Sequence, residues 1–520
     1  MIELDLARAV EDRFPGTVMA WDDRTGQRTL TLSPAHLVGV CEFLRDEPEA
    51  GYDLLTALTF THACLWYQLT HTGRGRRLQL CVPLSDRDPA SAASIVDSLA
   101  SIWLAANWAE REVHDLHGVV FRGHPDLRPI LTTDVPCPEA RSQTPDPRSP
   151  HTWSLPTGMR YPTSMDGLFL HLELDGEQVS EVRPSFGSCH VGLDRALAQR
   201  PYEQGTWVAA RIDGFASMHA DLAYALAVEK LLQVEPPRRA QQLRLVYAEL
   251  QRVASHLFWL ARTAQTESDP TSLASAYAWE ARETILNWFQ SLGGNPITPD
   301  RVAVGGLEED MSSALVSALH DLLDDLETQL GDLHCLLGEN QAFLSRLDGI
   351  GLIDPGTALG LGLTGPCLRG SGVAYDVRQA FPYCGYDSLP VQISMQQEGD
   401  AGARFRVRMA ELTASLGLIR QVLSQLSSGP VNAFDLSPRT GHSAFPPLPP
   451  GSVFAAVEGP RGELGVCLFS DGSGYPKHVY VRGPSFANLS ALPLMAHGLS
   501  LAQLRTVLDS LDVSAAEAAR

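Results

Sequence analysis

The sequence predicts an α/β domain followed by a mainly helical α+β domain with hairpins at its ends. Three observations carry that prediction. Up to residue 131, short apolar or alternating segments are interleaved with segments of helical spacing. A proline-rich stretch then interrupts the pattern. From about Asp221 to Leu426, apolar residues recur at three and four positions through a succession of long segments, the spacing of helices that pack on one another. A chain of 520 residues is too long for one ordinary core, so two or three domains are expected.

In the first unit, residues 1–131, LARAVEDRF and SAASIVDSLASIWL have helical spacing, while TGQRTLTLS and RRLQLCVPL have the short apolar or alternating character of strands. Residues 132–157, TTDVPCPEARSQTPDPRSPHTWSLPT, hold six prolines among small polar residues and predict an extended linker. The second unit, residues 158–520, opens with LFLHLELDGEQVSEVRP, which alternates around Asp175-Gly176 as a hairpin does. The helical segments follow, with VEKLL, RLVYAELQRVASHLFWLA, WEARETILNWFQSL, SSALVSALHDLLDDLETQLGDLHCLL and RFRVRMAELTASLGLIRQVLSQL in succession. Glycine and proline in SSGPVNAFDLSPRTGHSAFPPLPPGS break the run, GELGVCLFSDGSGYPKHVYVRGP predicts a hairpin, and a short helix near Ser500 to Leu511 is expected to end the chain.

Composition narrows the function. Forty basic against 61 acidic side chains give a formal charge of −21, which argues against a phosphate backbone or an anionic membrane surface as the main partner and for a solvated acidic surface. MIELDLARAVEDRF carries acids and no apolar core, so neither a signal peptide nor a lipid anchor is expected. No run reaches the roughly 18 apolar residues that a membrane-spanning helix needs, so work at a membrane would depend on other subunits. The nine cysteines, Cys41, Cys64, Cys81, Cys137, Cys189, Cys335, Cys367, Cys384 and Cys467, form no C-x-x-C pair. Local thiolate pairs for zinc, iron-sulfur or nickel are therefore absent, and reduced core cysteines in the cytoplasm are expected.

Residues 107–131, NWAEREVHDLHGVVFRGHPDLRPIL, concentrate Glu110, Arg111, Glu112, His114 and Asp115. Taken alone they read as a solvated helix face, and His124 as a loop histidine. In order, Trp108, Glu110, Arg111, Glu112, Asp115, Gly118, Gly123, His124, Pro125, Leu127 and Arg128 resemble the signature of the C subunit of complex I, with His117 where an aromatic is usual. That resemblance implies a segment that docks onto neighbouring subunits and carries no cofactor.

The second unit resembles the D subunit of complex I (NADH-quinone oxidoreductase) over nearly its full length, and also its relative, the large subunit of membrane-bound nickel-iron hydrogenases. LDGEQVSEVRP, DLAYALAVEKLL, VEPPRRAQQLRLVYAELQRVASHLFWL, ARETIL, GLTGPCLRGSGVAYDVRQAFPYCGYD, RFRVRMAEL, EGPRGELG and SDGSGYPKHVYVRGPSFANL carry the likeness. RIDGFASMHADLAYALAVEKLL, Arg211 to Leu232, reads as the start of a buried helix walling a redox cavity. In the hydrogenases this turn is similar to Arg-x-Cys-x-x-Cys and binds nickel; here the two positions are Asp213 and Ala216, and the second pair, in SLDVSAAEAAR, aligns with Ser514 and Glu517. Nickel held low-valent prefers thiolates, so hydrogen chemistry and a bound metal are not expected.

In complex I the same cavity takes the quinone headgroup. The family's histidine lies in a GPQHP-type loop, which here is GMRYPTSMDG, with Tyr161 at the first histidine position and Met165 at the second. The family's tyrosine belongs to Gly-Tyr-x-His, where this chain has Gly187, Ser188, Cys189 and His190; the acid that supports the histidine aligns with Thr266. The resemblance thus makes Tyr161, Ser188, His190, Arg211, Asp213, His219 and Asp221 cavity candidates without assigning a catalytic residue, and His219 also reads simply as a core histidine. Arg211, Arg369 and Arg378 lie in segments that in the family face the iron-sulfur subunit and its terminal cluster; the alternative is ordinary buried ion pairs with Asp221, Asp376 or Asp400.

The implied role is a fused C/D-type subunit in the cytoplasmic arm of a membrane-bound complex I-like oxidoreductase, peripheral at the cytoplasmic face of the cell membrane. It would bind no cofactor alone, take quinone in its cavity, and sit against an iron-sulfur subunit and membrane-arm subunits, without nucleic acid. The other reading is a nickel-free hydrogenase-related subunit with a structural or coupling role.

Overall fold

The computed structural model describes residues 3–23, 27–84, 94–132, 152–156, 167–265, 272–434 and 446–520. The first unit is a five-stranded sheet whose spatial order is Val18–Asp22, Thr29–Leu32, Arg76–Pro83, Cys64–His71, Leu54–Thr61. Neighbours run antiparallel except Thr29–Leu32 and Arg76–Pro83, which are parallel. Leu6 and Val10 of helix Glu3–Arg13 and Val40 and Leu44 of helix Leu37–Asp46 share a buried cluster with Leu30, Leu65, Leu78 and Leu80 of the sheet.

SAASIVDSLASIWL is not helical in its described part. Ile95–Asp97 is a strand, paired in parallel with Val120–Arg122, and the helix begins only at Ala105. The Leu99 N–H donates to Glu110 Oε1 at 2.7 Å and the Ser98 hydroxyl to Oε2 at 2.6 Å, so a side-chain carboxylate takes the N–H that a helical ladder would need. Nor is helix Ala105–His117 a solvated face where its first glutamates lie: Glu110 and Glu112 are buried. Asp115 accepts the N–H groups of Ile130, Leu131 and Thr132 at 2.9, 2.7 and 2.8 Å, and Trp108 packs on Phe186 and Phe486 with centroids 5.7 and 5.4 Å away.

The end of the proline-rich stretch, Thr152–Pro156, is a strand that pairs with Phe169–Asp175, itself paired with Gln178–Ser185 in the expected hairpin. Helices Ser217–Leu232, Arg238–Thr263, Leu273–Gly293, Ser313–Leu333 and Ala401–Ser424 form the bulk of the second unit. Strands Gly451–Gly459, Gly462–Ser470 and His478–Arg482 make an antiparallel sheet, with Ala223 and Val228 of the first of those helices in one buried cluster with Val457, Leu464 and Val466. Helix Leu501–Leu511 opens with a capping box between Ser500 and Gln503, but a further helix, Ala515–Ala519, follows it. Cys41, Cys81, Cys367, Cys384 and Cys467 are buried, whereas Cys335 is exposed and departs from the expected core position. Among the described residues no helix is long and apolar enough to cross a membrane.

The two units meet at a polar joint. Arg482 Nε donates to the Thr56 carbonyl at 2.9 Å, Thr59 Oγ1 lies 2.9 Å from His478 Nε2, and Arg520 pairs with Glu112 at 2.8 Å.

Candidate functional site

Asp213, in the turn that leads into helix Ser217–Leu232, comes together with Glu517 of the last helix around Arg461; Ala216 closes the first turn by donating its N–H to the Asp213 carbonyl at 3.1 Å, and Ser514 caps the last helix. Arg461 stands in the turn between strands Gly451–Gly459 and Gly462–Ser470. Gly462 has φ +129°, and a Cβ there would lie 2.5 Å from Thr364 Cγ2, so only glycine lets this turn close on residue 364. The turn holds the Arg461 side chain inside, 2% exposed.

The guanidinium pairs with Asp213, donates from Nε to the Asp512 carbonyl at 2.6 Å and lies 5.7 Å over the Phe215 ring. Burial opposes its charge, but Asp213, Asp512 and Glu517 outweigh burial and hold it more firmly protonated than a free arginine. Glu517 accepts from the Ser485 hydroxyl, and the Ser485 oxygen in turn accepts the Ser514 N–H at 3.0 Å. Burial and then the charge of Asp213 push Glu517 up to about 7, against the opposite pull of Arg461 and Ser485. The four aligned positions therefore supply two carboxylates, one hydroxyl and one methyl group, with Asp213 committed to Arg461. This donor set does not fit nickel, which needs soft sulfur ligands.

Of the other described cavity candidates only His190 reaches the last helix; the rest make contacts of their own. Ser188 is exposed and donates its hydroxyl to the Gly167 carbonyl at 2.9 Å. His190 Nδ1 lies 2.6 Å from the Ala519 carbonyl, two residues beyond Glu517. His219 is wholly buried; its Nδ1 is 3.4 Å from Gln251 Oε1 and its Nε2 has no partner among the described residues. Burial, followed by Arg252, pushes His219 down to about 3, so it is a neutral imidazole at physiological pH. Asp221, two helical positions on, faces away from His219, since each residue turns the helix by about 100°. Burial raises its carboxyl well above the usual range, and its Oδ1 is unpartnered among the described residues. Tyr161, Met165 and Thr266 lie outside the described residues.

The arginines separate into two kinds. Arg211 is 51% exposed and pairs with Asp300 at 3.3 Å, not with Asp221. Arg369 bonds Glu411 and Glu458 at 2.8 Å each and lies 3.3 Å from Asp376; Arg378 bonds Asp376 at 2.7 Å and Glu249 at 3.0 Å. Both guanidiniums are buried and spent on carboxylates of their own chain, so neither offers a surface for direct contact with a partner. Of the expected partners only Asp376 is used; Asp400 instead caps helix Ala401–Ser424 and accepts the Gly349 N–H at 2.7 Å.

The network continues through residues that carried no expected role. His256 Nε2 lies 2.9 Å from Glu411 Oε2, and Arg252 Nε donates to Glu249 Oε2 at 3.1 Å. Glu249, Arg252 and His256 interrupt the apolar run RLVYAELQRVASHLFWL on one helix face, which was the available signal.

A model of the respiratory-chain NADH dehydrogenase 49 Kd subunit matches residues 272–520. The second NADH-quinone oxidoreductase D subunit of a Roseiflexus species is 37% identical over 383 residues, 69% of this chain and 91% of that protein. The chain belongs to the family of 49 Kd, or D, subunits. The D subunit of Citrifermentans bemidjiense is 34% identical, covering 69% of this chain and 97% of its own, and NADH-quinone oxidoreductase subunit 4 of Thermus thermophilus is 36% identical, covering 69% and 92%. A model of the 30 Kd subunit matches residues 30–144, so this member of the family carries both complex I units fused in one chain. The 30 Kd match includes the joint helix Ala105–His117, and the 49 Kd match includes Arg461 and the last helix.

Proposed function

We propose that this chain is the peripheral-arm subunit of a complex I-like NADH-quinone oxidoreductase, that it lines a quinone-type cavity beside an iron-sulfur subunit, and that it couples electron transfer to ion translocation. The observation that supports this reading is the buried Arg461 cluster, where the turn before Ser217 meets the last helix with two carboxylates at positions that carry thiolates in the hydrogenases. A pocket of that composition suits proton and hydrogen-bond chemistry. The iron-sulfur and membrane-arm subunits are proposed partners at the cytoplasmic face of the cell membrane. The test is quinone-dependent electron transfer in the purified complex with Tyr161→Phe and His190→Gln. Loss of turnover in either variant supports the reading; full turnover in both overturns it.

One observation favours a second reading, a nickel-free hydrogenase-related subunit with a structural or coupling role. The Ser188 hydroxyl, at the place of the family's tyrosine, is already donated to the Gly167 carbonyl. Quinone bound in the isolated complex argues against this alternative, and stoichiometric nickel would sink both readings.

A further inference from the structure

A cleft of about 840 Å³ opens between the two units, lined by neither Arg461 nor any of the cavity candidates and used by none of the chemistry above. Its walls come from the turn Gly75–Arg77 and Gln27 of the first unit, the end of helix Ser217–Leu232, the loop after Ala380, and strand Gly451–Gly459. The turn is fixed in place by Gly75, whose φ of +57° and approach to the Ala380 carbonyl leave no room for a side chain, since a Cβ would lie 2.6 Å from that oxygen. The cleft is therefore a built seam between two units.

Two cationic groups face it with unused donors. Lys230 Nζ bonds the Gln27 side-chain oxygen at 3.2 Å and the Phe454 carbonyl at 3.1 Å, both neutral acceptors. An ammonium has three N–H groups, so one remains, and no described carboxylate forms an ion pair with it. Glu229, beside it on the wall, is taken by Arg244 at 2.6 Å. Arg77 is held between Phe381 and Phe454, 3.8 and 4.8 Å from their centroids, and bonds Glu463 through Nη2, yet its buried Nε has no acceptor among the described residues. Arg76 lines the same cleft. Lys230, withdrawn from water without a described counter-charge, carries a desolvation cost that a bound anion removes, whereas Arg77 already has Glu463 and offers only its unpaired Nε–H. Consistent with that, burial and the neighbouring Arg77 lower Lys230 to about 8.

We propose that this cleft binds a small oxyanion, the phosphate or carboxylate head of a metabolite, through the Lys230 ammonium and the Arg77 Nε–H. The anion would bridge the C-like and D-like units and tie their relative position to its concentration. The site is independent of the quinone reading.

Calorimetric titration of the full chain in an anion-poor buffer, with inorganic phosphate in one arm and succinate in the other, tests the proposal and separates the two head groups. Binding of either anion that weakens about tenfold in Lys230→Gln, the effect of one lost charge-assisted contact, supports it. The parallel measurement is acylation of Lys230 in the unaltered chain, read by mass spectrometry, which the bound anion should slow. Absence of binding by both anions, equal affinity in Lys230→Gln, or binding without protection of Lys230 each overturns it. If Lys230→Gln fails to fold, Arg76→Gln takes its place with a several-fold loss expected, and unchanged affinity there together with unprotected Lys230 is equally decisive against.

Discussion

Arg520 and Glu112 lie 408 residues apart and join the two units: Nη2 of Arg520 is 2.8 and 2.9 Å from the carboxylate oxygens of Glu112. The guanidinium also stacks 4.8 Å over Tyr480, whose hydroxyl is 3.3 Å from Glu112 Oε2. Removing one partner of a buried pair leaves the other charge unpaired, at a cost of about 3–5 kcal/mol. Arg520→Ala is expected to speed amide hydrogen exchange in helix Ala105–His117 and in strand His478–Arg482 together. Unchanged protection in both would show that the joint is held without the Arg520–Glu112 pair.

Arg369 and Arg211 make a controlled comparison. Arg369 is buried among three carboxylates, so Arg369→Gln should cost about 3–5 kcal/mol in urea unfolding of the chain. Arg211 is 51% exposed, and Arg211→Gln should cost less than about 1 kcal/mol. Similar losses in the two variants would contradict the burial difference.

Glu517 gives a pH signature. Its folded value of about 7 lies above the roughly 4.3 of an unfolded glutamate, so the native state holds the proton more tightly. The contribution is fully present below about pH 4 and is lost as pH rises through about 7. Glu517→Gln, which resembles the protonated acid, should therefore gain stability relative to the unaltered chain on going from pH 5 to pH 8, by roughly 2 kcal/mol. Melting temperatures of the two chains at both pH values decide it; a constant difference would mean that Glu517 is ionised throughout.

Gly462 is expected to be intolerant. Gly462→Ala combines a φ of +129° with a Cβ 2.5 Å from Thr364, and should cost about 3 kcal/mol or more, while Gly474→Ala, which meets nothing within 4 Å, should be near neutral. Equal denaturation midpoints would refute the close approach.

These residues also show what a sequence can convey. Hairpins announced themselves through Asp175-Gly176 and the alternation around it, and long helices through apolar spacing, because both signals are local. Ile95–Asp97 escaped, because its partner strand is 25 residues away and the deciding carboxylate, Glu110, sits on another element. Buried ion pairs were legible for Arg369 and Arg378, with Asp376 among the expected partners, but Glu411 and Glu458 were not, because they lie 42 and 89 residues from Arg369 and only the fold brings them to it. The ordered motif series located Asp213 and Glu517 in one pocket, yet left Arg461 without a part in it, since a motif records which residues recur and not which way a turn points them.

The Arg461 pocket has a consequence for how this region can change state. A metal centre alters its charge by gaining or losing electrons. A guanidinium flanked by Asp213 and Asp512 keeps its positive charge over the whole accessible pH range and takes no electron. The variable left in the pocket is the proton on Glu517. A change of charge brought near this cluster would be registered as a preference for one protonation state of Glu517, making the site a responder to charge rather than a carrier of it.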